Sequence, residues 1–339
     1  MNRRRTLEYG FSAVLVAVIV ALLSLQVLGR GTDPEPAPWP VAPAGKVKLG
    51  VTTLALAANS ADAWTPEDLA EVNAFEQDAR QHADIVMWFA DWEHSGFDPA
   101  QARAVAERGS VPEISWEPWD STIAPREPQP AYTLASIIRG DHDDSIREFA
   151  RGVAGYGDPI RLRFAQEMNG DAYPWAESRN GNRPGEFAAA WRHVHRIFAE
   201  EGATNVTWIW SPVAGTIADS DYPGDPYVDV VGLSGFNGGT ELFSKRWRTF
   251  AEAFSGPLDR LAEIAPGKPV ALTEIASAEQ GGSKAEWIRG MFDEIRARPE
   301  IEAVTWFNLR KETDWRIESS RAAQEAFAEG AAALRAASR

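Results

Sequence analysis

The sequence predicts an α/β fold, a closed (β/α)8 barrel, and three observations carry that expectation. From Lys46 onward, short apolar runs alternate with helical patterns, the signature of repeated βα units around a parallel sheet. Eight such runs can be read. The first is followed by TTLALAANSAD, which lacks the glycine-rich phosphate loop that a doubly wound open sheet usually shows there. In order the runs are KVKLGVTT (46–53), ADIVMWFADW (83–92), SVPEISWEPW (110–119), PIRLRFAQEMN (159–169), VTWIWSPV (206–213), VDVVGLSGFN (228–237), PVALTEIAS (269–277) and AVTWFNLRKE (303–312). The helices between them have start signals. Thr65-Pro66 and Asp98-Pro99 each pair an N-cap with proline at the first helical position, and Ser283 with Glu286 forms a capping box for KAEWIRGMFDEIRA. The active site of such a barrel lies at the C-terminal ends of its strands.

Composition narrows the function. The chain of 339 residues is 44% hydrophobic, enough for one large barrel core, and it has no cysteine, which excludes disulfide and thiolate chemistry. Its 34 basic and 49 acidic residues leave a formal charge of −15, which disfavours nucleic acid and anionic polymers and leaves neutral substrates. Fourteen tryptophans serve either as core or as flat stacking surfaces for sugar rings.

The N-terminus suggests a tether. Arg3, Arg4 and Arg5 precede FSAVLVAVIVALLSLQVL (11–28), an uncharged run. As a helix it spans roughly 27 Å, close to the hydrocarbon thickness of a bilayer. The arginines belong on the cytoplasmic side, so the globular part is expected outside. QVLGRGT (26–32) offers no clean small-x-small cleavage site, which favours an uncleaved signal-anchor over a secreted protein. DPEPAPWPVAPAG (33–45) has five prolines and reads as a stiff stalk. The expected organisation is therefore 1–28 cytoplasmic stretch and transmembrane anchor, 29–45 proline-rich linker, and 46–339 barrel.

Within the barrel, Arg161, Arg163, Ala165 and Glu167 share one face of the fourth run by its two-residue period, with Glu167 at the top and Arg163 beneath it. The seventh run, VALTEIAS, brings Glu274 to the same height. Two carboxyl groups flanking a glycosidic bond can divide the labour, one protonating the leaving oxygen while the other attacks the anomeric carbon. Trp116, Glu117 and Trp119 close the third run and could supply a stacking surface and a hydroxyl-binding carboxylate.

The combination of RFAQEMNG with YPW, then YPGDPYVDVVGLSGFN, KPVALTEIAS and WFNLRKETDWRI resembles glycoside hydrolase family 26, which includes β-mannanases and mixed-linkage β-glucanases. The likeness runs from about Lys46 through nearly all the remaining chain. It implies that Glu167 is the general acid/base and Glu274 the nucleophile. It also implies that Trp306 floors the subsite beside the cleaved bond, that Trp175 lines the cleft, and that Asn169 and Asn237 bind hydroxyls. The chain departs from the family at Gln166, where histidine is usual, and at Phe236, where tyrosine is usual.

The remaining candidates read as structure. His193 and His195 are two apart on a helix and face different ways, which excludes a zinc pair. DSDYPGDPYVD (219–229) lacks the glutamate that closes a calcium loop, and DHDD (141–144) caps a helix. The expectation is a monomeric retaining β-glycoside hydrolase that cuts a neutral polysaccharide internally, with no cofactor and no metal. Its rival is a catalytically weak carbohydrate-binding barrel that assists polymer processing or export at the same membrane.

Overall fold

The computed structural model describes residues 47–57, 64–242 and 245–337. The anchor and stalk expected at 1–45 lie outside these residues. Among the described residues no helix is long and apolar enough to cross a membrane.

Eight parallel strands close into a barrel in sequence order. They are β1 Lys48–Thr53, β2 Ile85–Asp91, β3 Val111–Glu117, β4 Ile160–Phe164, β5 Val206–Trp210, β6 Val230–Asn237, β7 Val270–Ser277 and β8 Ile301–Asn308. The ring is sealed where β8 pairs with β1, from Lys48 opposite Ala303 to Thr53 opposite Asn308. Close packing in the lumen shows at Gly50, where a Cβ would lie 2.3 Å from Thr305 Oγ1.

The helices are α1 Leu69–Ala79, α2 Pro99–Glu107, α3 Leu134–Arg139, α4 Asp143–Tyr156, α5 Glu186–Glu200, α6 Phe250–Ile264, α7 Lys284–Ala297 and α8 Arg321–Ala337. Two start signals form N-caps, although the Glu286 carboxylate accepts from Arg289 and the capping box expected at Ser283 is only half made. Asp98 accepts from the Ala100 amide and Ser283 from the Glu286 amide, each satisfying an orphan N–H of the first turn. Two crossovers depart from the repeat, and in the first, between β3 and β4, both α3 and α4 occur. Between β5 and β6 the chain makes 3-10 turns at Asp219–Asp221 and Asp225–Tyr227 and no α-helix.

Strand alternation sorts the side chains into two compartments. One set faces outward to the helices, where Trp116 stacks on Phe149 at 4.3 Å and Trp208 meets Trp191 and Phe198 edge-on. The other set faces the lumen, where Ile85, Ile209, Val230, Ala271 and Ala303 form a separate apolar cluster. Charged residues fill the lumen above and around that cluster, so the barrel interior is polar where the helix-facing layer is greasy.

Candidate active site

Arg163 is the centre of the upper lumen. It is fully buried on β4, and its Nη1 donates to Glu274 Oε2 at 2.6 Å and to Ser115 Oγ at 3.1 Å, while Nε donates to Ser211 Oγ at 3.0 Å. Ser211 in turn bonds Thr273 Oγ1 at 2.7 Å. Thr273 and Glu274 are consecutive, yet both point into the lumen. A regular strand cannot do this. The β7–β8 register slips between Leu272 and Ile275, and the β6–β7 register slips between Leu233 and Ser234. Such irregularities re-aim side chains, and here they bring Glu274 beside Arg163.

Glu167 arrives by a different route from the one its strand period suggests. β4 ends at Phe164, and Ala165 and Glu167 adopt left-handed backbone with φ of 46° and 58°. Such conformations cost on the order of 1–3 kcal/mol each for residues with a Cβ. The turn is held by Glu167 N to Ser211 O at 2.8 Å and Ala165 N to Trp116 O at 3.0 Å. The carboxylate then accepts from Ser234 Oγ at 2.5 Å, and Ser234 is the β6 residue paired in register with Glu274. Burial, with the Glu274 charge adding to it, pushes Glu167 up to about 7, against the opposing pull of Arg163 and the Ser234 hydroxyl. The same lumen therefore presents one ion-paired carboxylate and one that holds its proton near neutrality.

Around this pair the aromatic residues are not distributed as the sequence suggests. Trp306 is fully buried and faces the helices. Its Nε1 donates to Trp315 O at 3.0 Å, and its ring meets Phe327 of α8 and Trp287 of α7 edge-on. It cannot floor a sugar subsite; the neighbouring Phe307 faces the lumen instead, edge-on to Phe236 at 5.2 Å. Trp116 likewise belongs to the helix-facing layer. Trp175 and Trp119 do stand at the mouth, but one row back. Trp175 is buried, donates to Gln166 O at 2.7 Å, and stacks on Tyr173 at 4.4 Å and 7°. Trp119 donates to Glu117 Oε2 at 3.1 Å and meets Tyr173 edge-on. The half-buried ring that looks onto the site is Tyr173, whose hydroxyl is pushed well up by burial and by the carboxylates of Glu167, Glu117 and Glu274.

The two asparagines are committed to protein partners. Asn169 donates to Val213 O and Thr216 O and accepts from Val213 N, tying the loop after β4 to the loop after β5. Asn237 donates to Ser277 Oγ at 3.0 Å and is 2% exposed. Neither is free to bind a sugar hydroxyl. Gln166 donates from Nε2 to Glu117 Oε1, which anchors the residue before Glu167 to the end of β3.

No group of three or more His, Cys, Asp or Glu side chains among the described residues could hold a metal ion. His193 pairs with Asp143 at 2.6 Å, while His195 packs on Trp208 and is pushed down to about 4 by burial, so the two do face apart.

Residues 133–277 match the profile of Glycosyl hydrolase family 26. Endoglucanase H of Acetivibrio thermocellus is 34% identical over 331 residues, which cover 94% of this chain and 33% of that protein. A mannan endo-1,4-beta-mannosidase of Bacillus subtilis is 28% identical over 145 residues, 41% of this chain and 36% of that protein. The chain thus spans about a third of the length of each of these relatives. Among solved structures, an endo-beta-1,4-mannanase of Cellulomonas fimi superposes with a TM-score of 0.63 at 20% identity, covering 85% of this chain and 70% of that one. A Bacillus subtilis mannanase does so at 0.60 and 17%, covering 87% and 92%. These structural likenesses show the same barrel fold. With two carboxylates meeting in its lumen, a matching family profile and a relative similar along almost all of its length, the chain belongs to glycosyl hydrolase family 26.

Proposed function

We propose that this barrel is a retaining endo-β-glycoside hydrolase acting on a neutral β-linked glucan or mannan. The observation that carries the reading is the asymmetry of the pair, with Glu274 ion-paired to Arg163 and Glu167 raised to about 7. In the first step Glu167 gives its proton to the glycosidic oxygen as the bond from that oxygen to the anomeric carbon breaks, and a Glu274 oxygen bonds that carbon. In the second step the Glu167 carboxylate takes a proton from water. The water oxygen attacks the anomeric carbon and releases Glu274. Relatives named as an endoglucanase and as mannan endo-mannosidases support a β-glucan or β-mannan as substrate. The apolar run 11–28 and the proline-rich 29–45 support a barrel held outside the membrane on a short stalk.

The test is turnover on a panel of β-mannan, mixed-linkage glucan and xylan. Glu274→Ala should abolish turnover of the preferred polymer, and added azide should restore cleavage of an aryl β-glycoside with inverted configuration. Glu167→Ala should lose natural substrates but keep forming the covalent intermediate from aryl glycosides with good leaving groups. Binding of a polymer with no turnover of any member would support the carbohydrate-binding reading instead.

A further inference from the structure

Beneath the reacting pair the lumen holds an alternating column of charge. Lys48 Nζ pairs with Glu302 Oε2 at 3.1 Å on the barrel floor. Arg161 joins Glu302 Oε1 at 2.8 Å to Glu113 Oε2 at 2.8 Å. Arg163, two residues further along β4 and on the same face, pairs with Glu274. Glu113 is 0% exposed, Arg161 5% and Arg163 0%. Water therefore screens this column poorly, and an uncompensated charge within it is costly.

The count of charges has a consequence. Lys48, Arg161 and Arg163 are three cations, and Glu302, Glu113 and Glu274 are three anions. The column is neutral when Glu167 is protonated and carries one excess negative charge when Glu167 ionises. If Glu113 carried no charge, the balance would reverse, because three cations would then face Glu302, Glu274 and an ionised Glu167. We propose that Glu113 is a positioning residue that holds the proton on the Glu167 and Glu274 pair, its buried carboxylate offsetting Arg161 and Arg163 so that this ion-paired column balances with one proton on the pair.

Other charged and polar groups line the upper lumen around the pair. From β2, Asp91 is held by His94 and Ser121. From β3, Glu117 is held by Gln166 and Trp119. Tyr173 faces it from the loop after β4, Ser211 from the end of β5, Ser234 from β6, and Thr273 from β7. The floor is closed by Glu302 of β8 and Lys48 of β1. Arg163 links the two layers. The carboxylates that favour its charge include Glu274 and Glu167 above it and Glu113 below it. Removing Glu113 leaves more of the Arg163 and Arg161 charge to be met from above.

This inference rests on Glu167 and Glu274 being the catalytic pair, and its test separates the two ideas. The pH profile of kcat/KM is recorded for the full chain and for variants in the lower layer. Glu113→Gln should move the basic limb, where Glu167 loses its proton, to lower pH by about one unit. Activity above the old limb then falls about tenfold while KM is kept. The paired change Glu113→Gln with Arg161→Met removes one charge of each sign and should bring the limb back to its original place. If Glu113→Gln does not fold, Glu302→Gln on the floor should show a smaller shift of the same sign. An unmoved or raised limb in the single variant overturns the proposal. So does a double variant that shifts as the single one does, since that would be a packing effect. If no variant and no wild-type protein cleaves any β-glycan, the assignment of activity fails on its own account. Carboxyl 13C NMR on glutamate-labelled protein still reads the Glu167 proton, which must leave at lower pH in Glu113→Gln than in the wild type for the proposal to stand.

Discussion

Replacing Ser234 by alanine should extend the activity of this protein to higher pH. The Ser234 hydroxyl donates to Glu167 Oε1 at 2.5 Å, and that bond favours the ionised carboxylate. A hydrogen bond to a charged group is worth about 1.5–3 kcal/mol, and each pH unit corresponds to 1.36 kcal/mol. Loss of the donor should therefore raise Glu167 from about 7 by roughly one to two units. In the proposed mechanism Glu167 acts as an acid only while protonated, so the basic limb of kcat/KM should move up by that amount. The substitution removes one oxygen from a buried position on β6 and leaves the backbone pairing with Glu274 in place, so the fold should persist. The assay is initial-rate hydrolysis of soluble mixed-linkage glucan or mannan across the pH range. A basic limb that stays in place, or moves down, would refute the idea that Ser234 holds Glu167 toward its anion.

The aromatic residues separate by stability and binding. Trp306→Ala opens a cavity against Phe327 and Trp287 and should cost roughly 3–5 kcal/mol of stability in denaturant unfolding, with KM of the folded protein unchanged. Tyr173→Ala should do the reverse. Oligosaccharide binding measured by calorimetry should weaken by roughly 1–3 kcal/mol while Tm stays near the wild-type value. Glu167→Gln should change how stability depends on pH. Because folding raises this carboxyl from 4.5 to about 7, its contribution is complete below about 4.5 and is lost as pH rises through 7. Wild-type Tm should fall across that window, by the equivalent of about 3 kcal/mol at most, and the variant should lack that part of the slope.

The barrel was legible because its code is repetitive. Each of the eight runs contains an observed strand or most of one, and the proline and N-cap signals at Asp98 and Ser283 mark true helix starts. The two glutamates were legible because strand ends are few and carboxylates at them fewer. What the sequence hides is anything that breaks the two-residue period. The slips around Ser234 and Glu274 and the left-handed turn at Glu167 reassign which side chains face the lumen. Ser234, which donates directly to Glu167, therefore carries no sequence signal for that contact. The family resemblance implies a sugar platform at Trp306 and the WEPW run suggests one at Trp116, but the parity of their strands turns both toward the helices. Tyr173 lies inside the YPW stretch beside the more conspicuous Trp175, and only the stack between them shows which ring is in front. Asn169 and Asn237 reveal their structural use only through their backbone and side-chain partners, which come from segments distant in sequence.

The stereochemistry of cleavage tests the paired roles of Glu167 and Glu274 most directly. Proton NMR of the anomeric signals in the first minutes of hydrolysis, before mutarotation, should show products in the β configuration if Glu274 attacks and Glu167 later delivers water to the same face. Initial release of α products would show that water, and not Glu274, attacks the anomeric carbon, and would contradict the paired roles given to the two glutamates.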